Sequence, residues 1–190
     1  MVARMTAAEF TALMARRAGQ SPAPAPKKPA RKKKHPGLPS VPEPPELAPL
    51  LAGLEGVGRT WTLLMPYVEQ MLTSNLRLHW RPEHTIRKQL REHAVQMAHA
   101  ERLPKLQRAA IFYVLHPRSI ERSRDPGNWS PTAKAYIDGL VTPNPRRPLD
   151  RHLLPDDDHT HLLGPNPVMG SAVPTGYARM SLVIVEVQGT

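Results

Sequence analysis

The sequence predicts a single α/β (α+β) domain, a mixed β-sheet flanked by helices, carried behind a disordered, basic, proline-rich tether. Three patterns carry that expectation. Residues 109–115 (Ala-Ala-Ile-Phe-Tyr-Val-Leu) form an unbroken apolar run too short for a useful helix, which suits a central strand buried on both faces. Over 177–187, Ala178, Met180, Leu182 and Ile184 alternate with Val183, Val185 and Val187, so a second strand presents an apolar row to each face. Ile86, Leu90, Ala94 and Met97 recur at helical spacing, with Arg87, Lys88 and Arg91 on other sides, which makes an amphipathic helix with a basic flank.

The remaining elements follow in chain order. Thr6 can cap a short helix within residues 1–20, with Glu9 at the capping-box position. Ten of the 23 prolines then fall between Pro22 and Pro49, and such a stretch loses too many backbone donors for helix or sheet. A Pro/Lys-rich linker is therefore expected over 21–58, most extended over 21–50, with the folded domain at 59–190. Within the linker, Lys27, Lys28, Arg31, Lys32, Lys33 and Lys34 can hold phosphates without sequence preference, or serve only solubility. Trp61, Leu63, Leu64, Met65 and Val68 suggest a first strand, residues 74–80 a loop, and Pro82 the start of the basic helix, which Leu103-Pro104 ends. Ser130 is placed as a helix cap before Pro131, and Ala133, Tyr136, Ile137 and Leu140 form the stripe that helix buries.

Composition narrows the function. Lys and Arg total 26 against 16 acidic residues, a formal charge of +10, which draws polyanions and puts nucleic acid first among partners. The absence of cysteine excludes disulfides, thiolate zinc sites, iron–sulfur clusters and cysteine nucleophiles. No apolar run approaches the roughly 18 residues of a membrane span, and residues 1–20 lack a signal-peptide core, so the expectation is a cytoplasmic protein without membrane contact.

Carboxylates recur in two places. Asp125 lies in a polar turn just past the central strand, and Asp156, Asp157 and Asp158 follow Leu154-Pro155. Magnesium and manganese take hard oxygen ligands, and phosphodiester hydrolysis commonly draws them from separate segments. An Asp-Pro-Gly-Asn turn and a solvated Asp triplet are the structural alternatives. Against those, three acids in a row oppose a polyanionic ligand unless a cation intervenes. His159 and His161 follow as solvated residues or transition-metal ligands. Trp80 and Trp129 could each stack on an unpaired base; core or dimer packing is the expectation for Trp80, with Trp129 open between packing and stacking.

Arg124-Asp125-Pro126-Gly127-Asn128, then Pro131-Thr132-Ala133-Lys134-Ala135 with Asp138-Gly139-Leu140, then Leu154-Pro155-Asp156-Asp157-Asp158, resemble the RusA-type Holliday-junction resolvases, in the form carried by actinobacterial phages and prophages. Leu72-Thr73-Ser74-Asn75 with Leu78-His79-Trp80 is similar to the N-terminal motif of that family, and the resemblance spans roughly residues 60–188. It implies a homodimeric, magnesium-dependent endodeoxyribonuclease, with manganese as a substitute and no small-molecule cofactor, that binds branched DNA and nicks four-way junctions symmetrically. If phage-encoded, it acts in the host cytoplasm. Under the resemblance Asp125, Lys134 and Asp157 are catalytic, and Asp125, Asp157, Asp156 and Asp138 are the metal-ligand candidates. Asn75, His79, Arg87, Lys88, Arg91, Arg124, Asn128, Arg146 and Arg147 are the DNA-binding candidates. Two departures stand out. Gly127 occupies the place of the second aspartate of the family, which Asp138 either replaces or leaves vacant while pairing with Lys134. Residues 143–151 lengthen the connection to the acidic loop. The alternative functions are a junction-binding protein with impaired catalysis and a general nucleic-acid binder.

Overall fold

A computed structural model describes residues 40–118, 123–141, 153–173 and 178–188. The helix expected in 1–20, the basic block of the tether, and Arg146 and Arg147 lie outside them. The described chain is an α+β fold built on one mixed four-stranded sheet. In chain order the elements are α1 (Ala48–Leu51), β1 (Val57–Leu64), α2 (Trp80–Ala100), β2 (Ala109–His116), a 3-10 turn (Pro126–Trp129), α3 (Ser130–Val141), β3 (Leu162–Met169) and β4 (Arg179–Val187).

The strand order is β1-β4-β2-β3. β4 pairs antiparallel with both β1 and β2, whereas β2 and β3 run parallel, so the chain between them crosses over through α3. Every residue of β2 is buried, as its unbroken apolar run requires. The period of two sorts the strand residues. Ile111 and Tyr113 of β2 join Met180, Leu182 and Ile184 of β4 in the larger apolar cluster, with Leu90 and Ala94 of α2 and Ala133, Tyr136, Ile137 and Leu140 of α3. Ala110, Phe112 and Val114 join Val183, Val185 and Val187 on the opposite face.

That second face corrects the expected linker boundary. Leu47, Leu50, Leu51 and Leu54 pack against it, so residues 40–58 do not belong to a solvated tether. The four leucines sit at i, i+3, i+4 and i+7, a helical stripe that proline density obscured in the sequence. The segment leading to them is fastened as well: Ser171 Oγ donates to the Glu43 carbonyl at 3.1 Å, and the Arg179 guanidinium donates to the Ser40 carbonyl at 3.4 Å and the Met65 carbonyl at 3.0 Å.

Other local expectations shift. β1 starts four residues earlier than its apolar pattern suggested and ends at Leu64. β3 is not an expectation of the sequence, since Pro165 and Pro167 cannot donate to a ladder and Gly164 weakens a strand. Its place at the sheet edge removes the objection, since an edge strand has backbone groups that need no ladder partner. Ser130 is the first residue of α3 with helical φ and ψ and not a cap ahead of it: the 3-10 turn runs straight into α3, and Asp125 caps that turn, its Oδ1 accepting from the Gly127 amide at 2.8 Å. Trp80 is 65% exposed and does not lie in the core.

His116, at the end of β2, is fully buried. Its Nδ1–H donates to the Ser171 carbonyl at 3.1 Å, because a carbonyl only accepts, which leaves Nε2 to accept from Ser181 Oγ at 2.9 Å. That is the neutral imidazole. Burial pushes its pKa below the ordinary histidine range, with the Ser171 carbonyl opposing and nearby Arg179 assisting; burial also lowers His93.

Two tests follow from this packing. Leu50→Ala with Leu51→Ala should destabilise the protein by about 1–3 kcal/mol in urea unfolding, less than fully buried leucines cost because both are half-exposed. Below about pH 6.5 the unfolded chain binds protons that folded His116 and His93 refuse, so stability should fall as pH drops through that window. His116→Gln should flatten that slope more than His93→Gln does; an unchanged slope in unfolding curves from pH 7.5 to 5 would remove His116 from the account.

Candidate metal and phosphate site

The site is assembled on α3 by its contact with α2. At Gly139 a β-carbon would lie 2.5 Å from the Arg91 carbonyl oxygen and 2.8 Å from the Arg91 Cα, so the two helix backbones approach more closely than any side chain permits. That approach brings Arg91 onto Asp138, the neighbour of Gly139: Arg91 Nη2 donates to Asp138 Oδ2 at 2.6 Å. One turn back along α3, Lys134 Nζ pairs with Asp138 Oδ1 at 2.8 Å. The same ammonium pairs with Asp157 Oδ2 in the acidic loop. Arg91, Asp138, Lys134 and Asp157 thus form one chain of alternating charge across α2, α3 and the loop.

The cluster is half open to water. Asp138 is the most enclosed member, its side chain 15% exposed against 50% for Lys134 and 27% for Asp157. Burial works to raise the Asp138 pKa, but hydrogen bonds and charge from Lys134 and Arg91 outweigh it, and the carboxyl titrates below its usual range. With both oxygens held by cations, Asp138 is the ion-pair partner of Lys134 and Arg91.

The acidic loop is pinned at both ends. Leu153 and Leu154 are buried in the larger cluster, the Leu153 amide donates to the Leu140 carbonyl at 2.7 Å, and the Leu106 amide donates to the Leu153 carbonyl at 2.7 Å. Asp158 closes the far side by accepting from the Thr160 amide and hydroxyl at 2.8 and 2.6 Å and from the His161 amide at 3.1 Å. Hydrogen bonds from Thr160, chiefly its hydroxyl, hold the Asp158 carboxyl below the usual range. His161 Nδ1 lies 2.9 Å from the Gln107 carbonyl, and His159 is exposed. Of the triplet, Asp157 reaches Lys134, while Asp156 Oδ1 accepts from the Asp157 amide at 2.7 Å.

Asp125 stands at the mouth of the 3-10 turn, exposed. Its charge reaches Tyr113, whose pKa is raised by burial first and by Asp125 second. Among the described residues, Asp125 Oδ2 and Asp157 Oδ1 have no hydrogen-bond partner, and no three Asp, Glu or His side chains gather closely enough to hold a metal by themselves. A β-carbon at Gly127 would sit 3.0 Å from Asp125 Oδ1, the tip of a side chain that can turn away.

The segment that resembles the N-terminal motif reaches the same turn. Ser74 donates from its amide to the Asn128 carbonyl at 2.8 Å and from Oγ to Asn128 Oδ1 at 3.0 Å, and Asn75 Nδ2 reaches that Oδ1 at 3.4 Å. Thr132 Oγ1 donates to the Leu72 carbonyl at 2.8 Å from a buried position. In the sequence Ser74 and Thr132 stand only as members of their motifs, without roles of their own, because short polar side chains carry no signal there until the loop is seen against α3.

The basic residues of α2 divide. Arg87 is paired with Glu83 one turn earlier at 2.8 Å, an arrangement legible from their spacing, and Arg91 is taken by Asp138. Lys88 is exposed. His79 caps α2, its Nδ1 accepting from the Arg81 amide at 3.4 Å. Arg124 is half-buried, its Nε without a partner among the described residues. Trp129 is partly buried against the larger cluster. No protein-family model matches the chain, and no curated protein sequence matches it.

Gly139→Ala tests whether the helix contact builds the site. Alanine favours helix over glycine by about 1 kcal/mol, but the clash is with backbone, and overpacking of that kind costs about 1–3 kcal/mol. The expected result is lower stability in urea unfolding, and a variant more stable than the parent would show that α2 and α3 have room to separate.

Proposed function

We propose that the chain is a divalent-metal-dependent endodeoxyribonuclease of the RusA type, acting as a homodimer that nicks four-way DNA junctions symmetrically. The observation that carries this reading is the pairing of Lys134 with Asp157, because it unites two motifs separated in sequence, one on α3 and one in the acidic loop, at a single solvent-open point. The strong net positive charge supports a polyanionic substrate, and a two-fold dimer suits a junction of near two-fold symmetry.

Magnesium prefers carboxylate oxygens and keeps several waters, which suits a site with few protein ligands. Asp125 Oδ2 and Asp157 Oδ1 are the oxygens that would hold it. Bound there, the metal supplies Lewis acidity toward a phosphate and lowers the pKa of a water. The residues of the chain do the rest. Asp138 and Arg91 hold the Lys134 ammonium in position, so that it can neutralise charge building on phosphate oxygens without reorganising. Arg124 and Lys88 add phosphate contacts that fix register, not sequence.

Gly127 favours a second reading, a junction-binding protein with impaired catalysis, since one carboxylate of the family pattern is absent.

Labelled four-way junction and matched duplex, with and without magnesium, separate these on native and denaturing gels. The nuclease reading expects Asp125→Asn and Asp157→Asn each to slow nicking by roughly 100-fold or more while junction binding persists. Asp157→Asn cutting at the parental rate would end the assignment. A chain that binds junction without nicking, and gains nicking with Gly127→Asp, supports the second reading; equal affinity for duplex and junction at matched salt overturns both.

A further inference from the structure

α2 begins with the largest exposed apolar side chain of the described chain. Trp80 is 65% exposed, the His79 ring lies tilted beside it with centroids 5.9 Å apart, and the Arg81 guanidinium carbon sits 5.3 Å from the indole centroid. At 100° per residue, Trp80, His84, Lys88 and Arg91 fall within about 80° of one helix face. His84, Lys88 and Arg91 are all exposed on it, as are Arg77 and Arg81 beside its start. Glu83, the acidic residue of the first turn of α2, is already paired with Arg87. Arg91, eleven residues and about 16 Å along the axis from Trp80, is the residue that joins α2 to Asp138 and Lys134.

We propose that Trp80 is a stacking platform for an unpaired nucleobase, at the far end of a basic track that runs along α2 to the Lys134–Asp157 cluster. The charge around the indole selects the occupant. A flat apolar ring set among cations suits a base, which offers a π-face on an anionic backbone, and base–aromatic stacking needs no particular sequence. The same charge disfavours a second copy of this chain, because a self-complementary contact would bring the two sets of Arg77, Arg81, His84 and Lys88 together. A single strand lying on α2 would place phosphates on Lys88 and a base on Trp80, so the track recognises DNA where pairing is interrupted. The inference rests on the proposed DNA-directed function and adds to it the feature of the substrate that is read away from the metal site.

The test uses the full chain with two probes, a short oligothymidylate and a blunt duplex carrying the same number of phosphates. Trp80→Ala should weaken binding of the oligothymidylate by roughly 5- to 150-fold and change duplex binding by less than about twofold. Trp80→Phe should restore most of the affinity, and should lose the quenching of intrinsic fluorescence that Trp61→Phe and Trp129→Phe retain. Equal losses on both probes, or none, overturn the stacking role. So does Trp80→Ala that shifts sedimentation from dimer to monomer at unchanged affinity, which would assign the indole to a contact between copies. If the unsubstituted chain binds neither probe but binds a four-way junction, only the stacking role falls, and if it binds none of the three the DNA-directed reading fails with it; if it binds both probes equally and Trp80→Ala is silent, again only the stacking role falls.

Discussion

The close approach of α2 and α3 at Gly139 is the constraint on which the site depends. Backbone against backbone leaves no slack, so the distance between Arg91 and Asp138 is set by the packing of two helices instead of by the reach of two side chains. The same helices bury Leu90, Ala94, Tyr136, Ile137 and Leu140 on the sheet. Stability and site geometry are therefore coupled: whatever loosens the helix pair from β2 and β4 also dissolves the charge cluster.

The cluster has a second property that matters for chemistry. Arg91 and Lys134 balance Asp138 and Asp157, leaving the four-residue chain formally neutral in a protein with a net charge of +10. Lys134 is the shared cation, and it is exposed while the carboxylate that orients it is not. A cation oriented from behind and open in front suits an anion arriving from solvent, because the ordering cost is met by the fold before the ligand arrives.

The two faces of the sheet show how far pattern reading carries. The rows of β4 were legible because alternation of apolar residues has one geometric meaning, and β2 was legible because seven apolar residues in a row have no polar face to turn outward. The cover on the second face was not legible in the same way. Leu47, Leu50, Leu51 and Leu54 stand at perfect helical spacing, yet they sit among prolines that argue for an extended chain. Only the unmet apolar face of the sheet makes the short helix worth forming. β3 was hidden for the opposite reason, since its prolines are tolerable only at an edge, and edge position belongs to the topology.

By itself the sequence determined the class of fold, the identities of the central and C-terminal strands, the basic helix, the helical stripe under Tyr136 and the candidate acids. These are properties of local period and of composition, and they need no knowledge of what lies across the sheet. The tertiary structure decided which of those acids meet. Asp157 and not Asp156 reaches Lys134, Asp138 is engaged by two cations at once, and Arg91 is taken by Asp138 while Lys88 stands exposed. Each depends on a distance between segments 20 or more residues apart, or on a rotation about the helix axis fixed by packing. It also turned Trp80 outward, against its hydrophobicity. A side chain's chemistry states what it can bind; which surface it faces is decided by the whole of the core behind it.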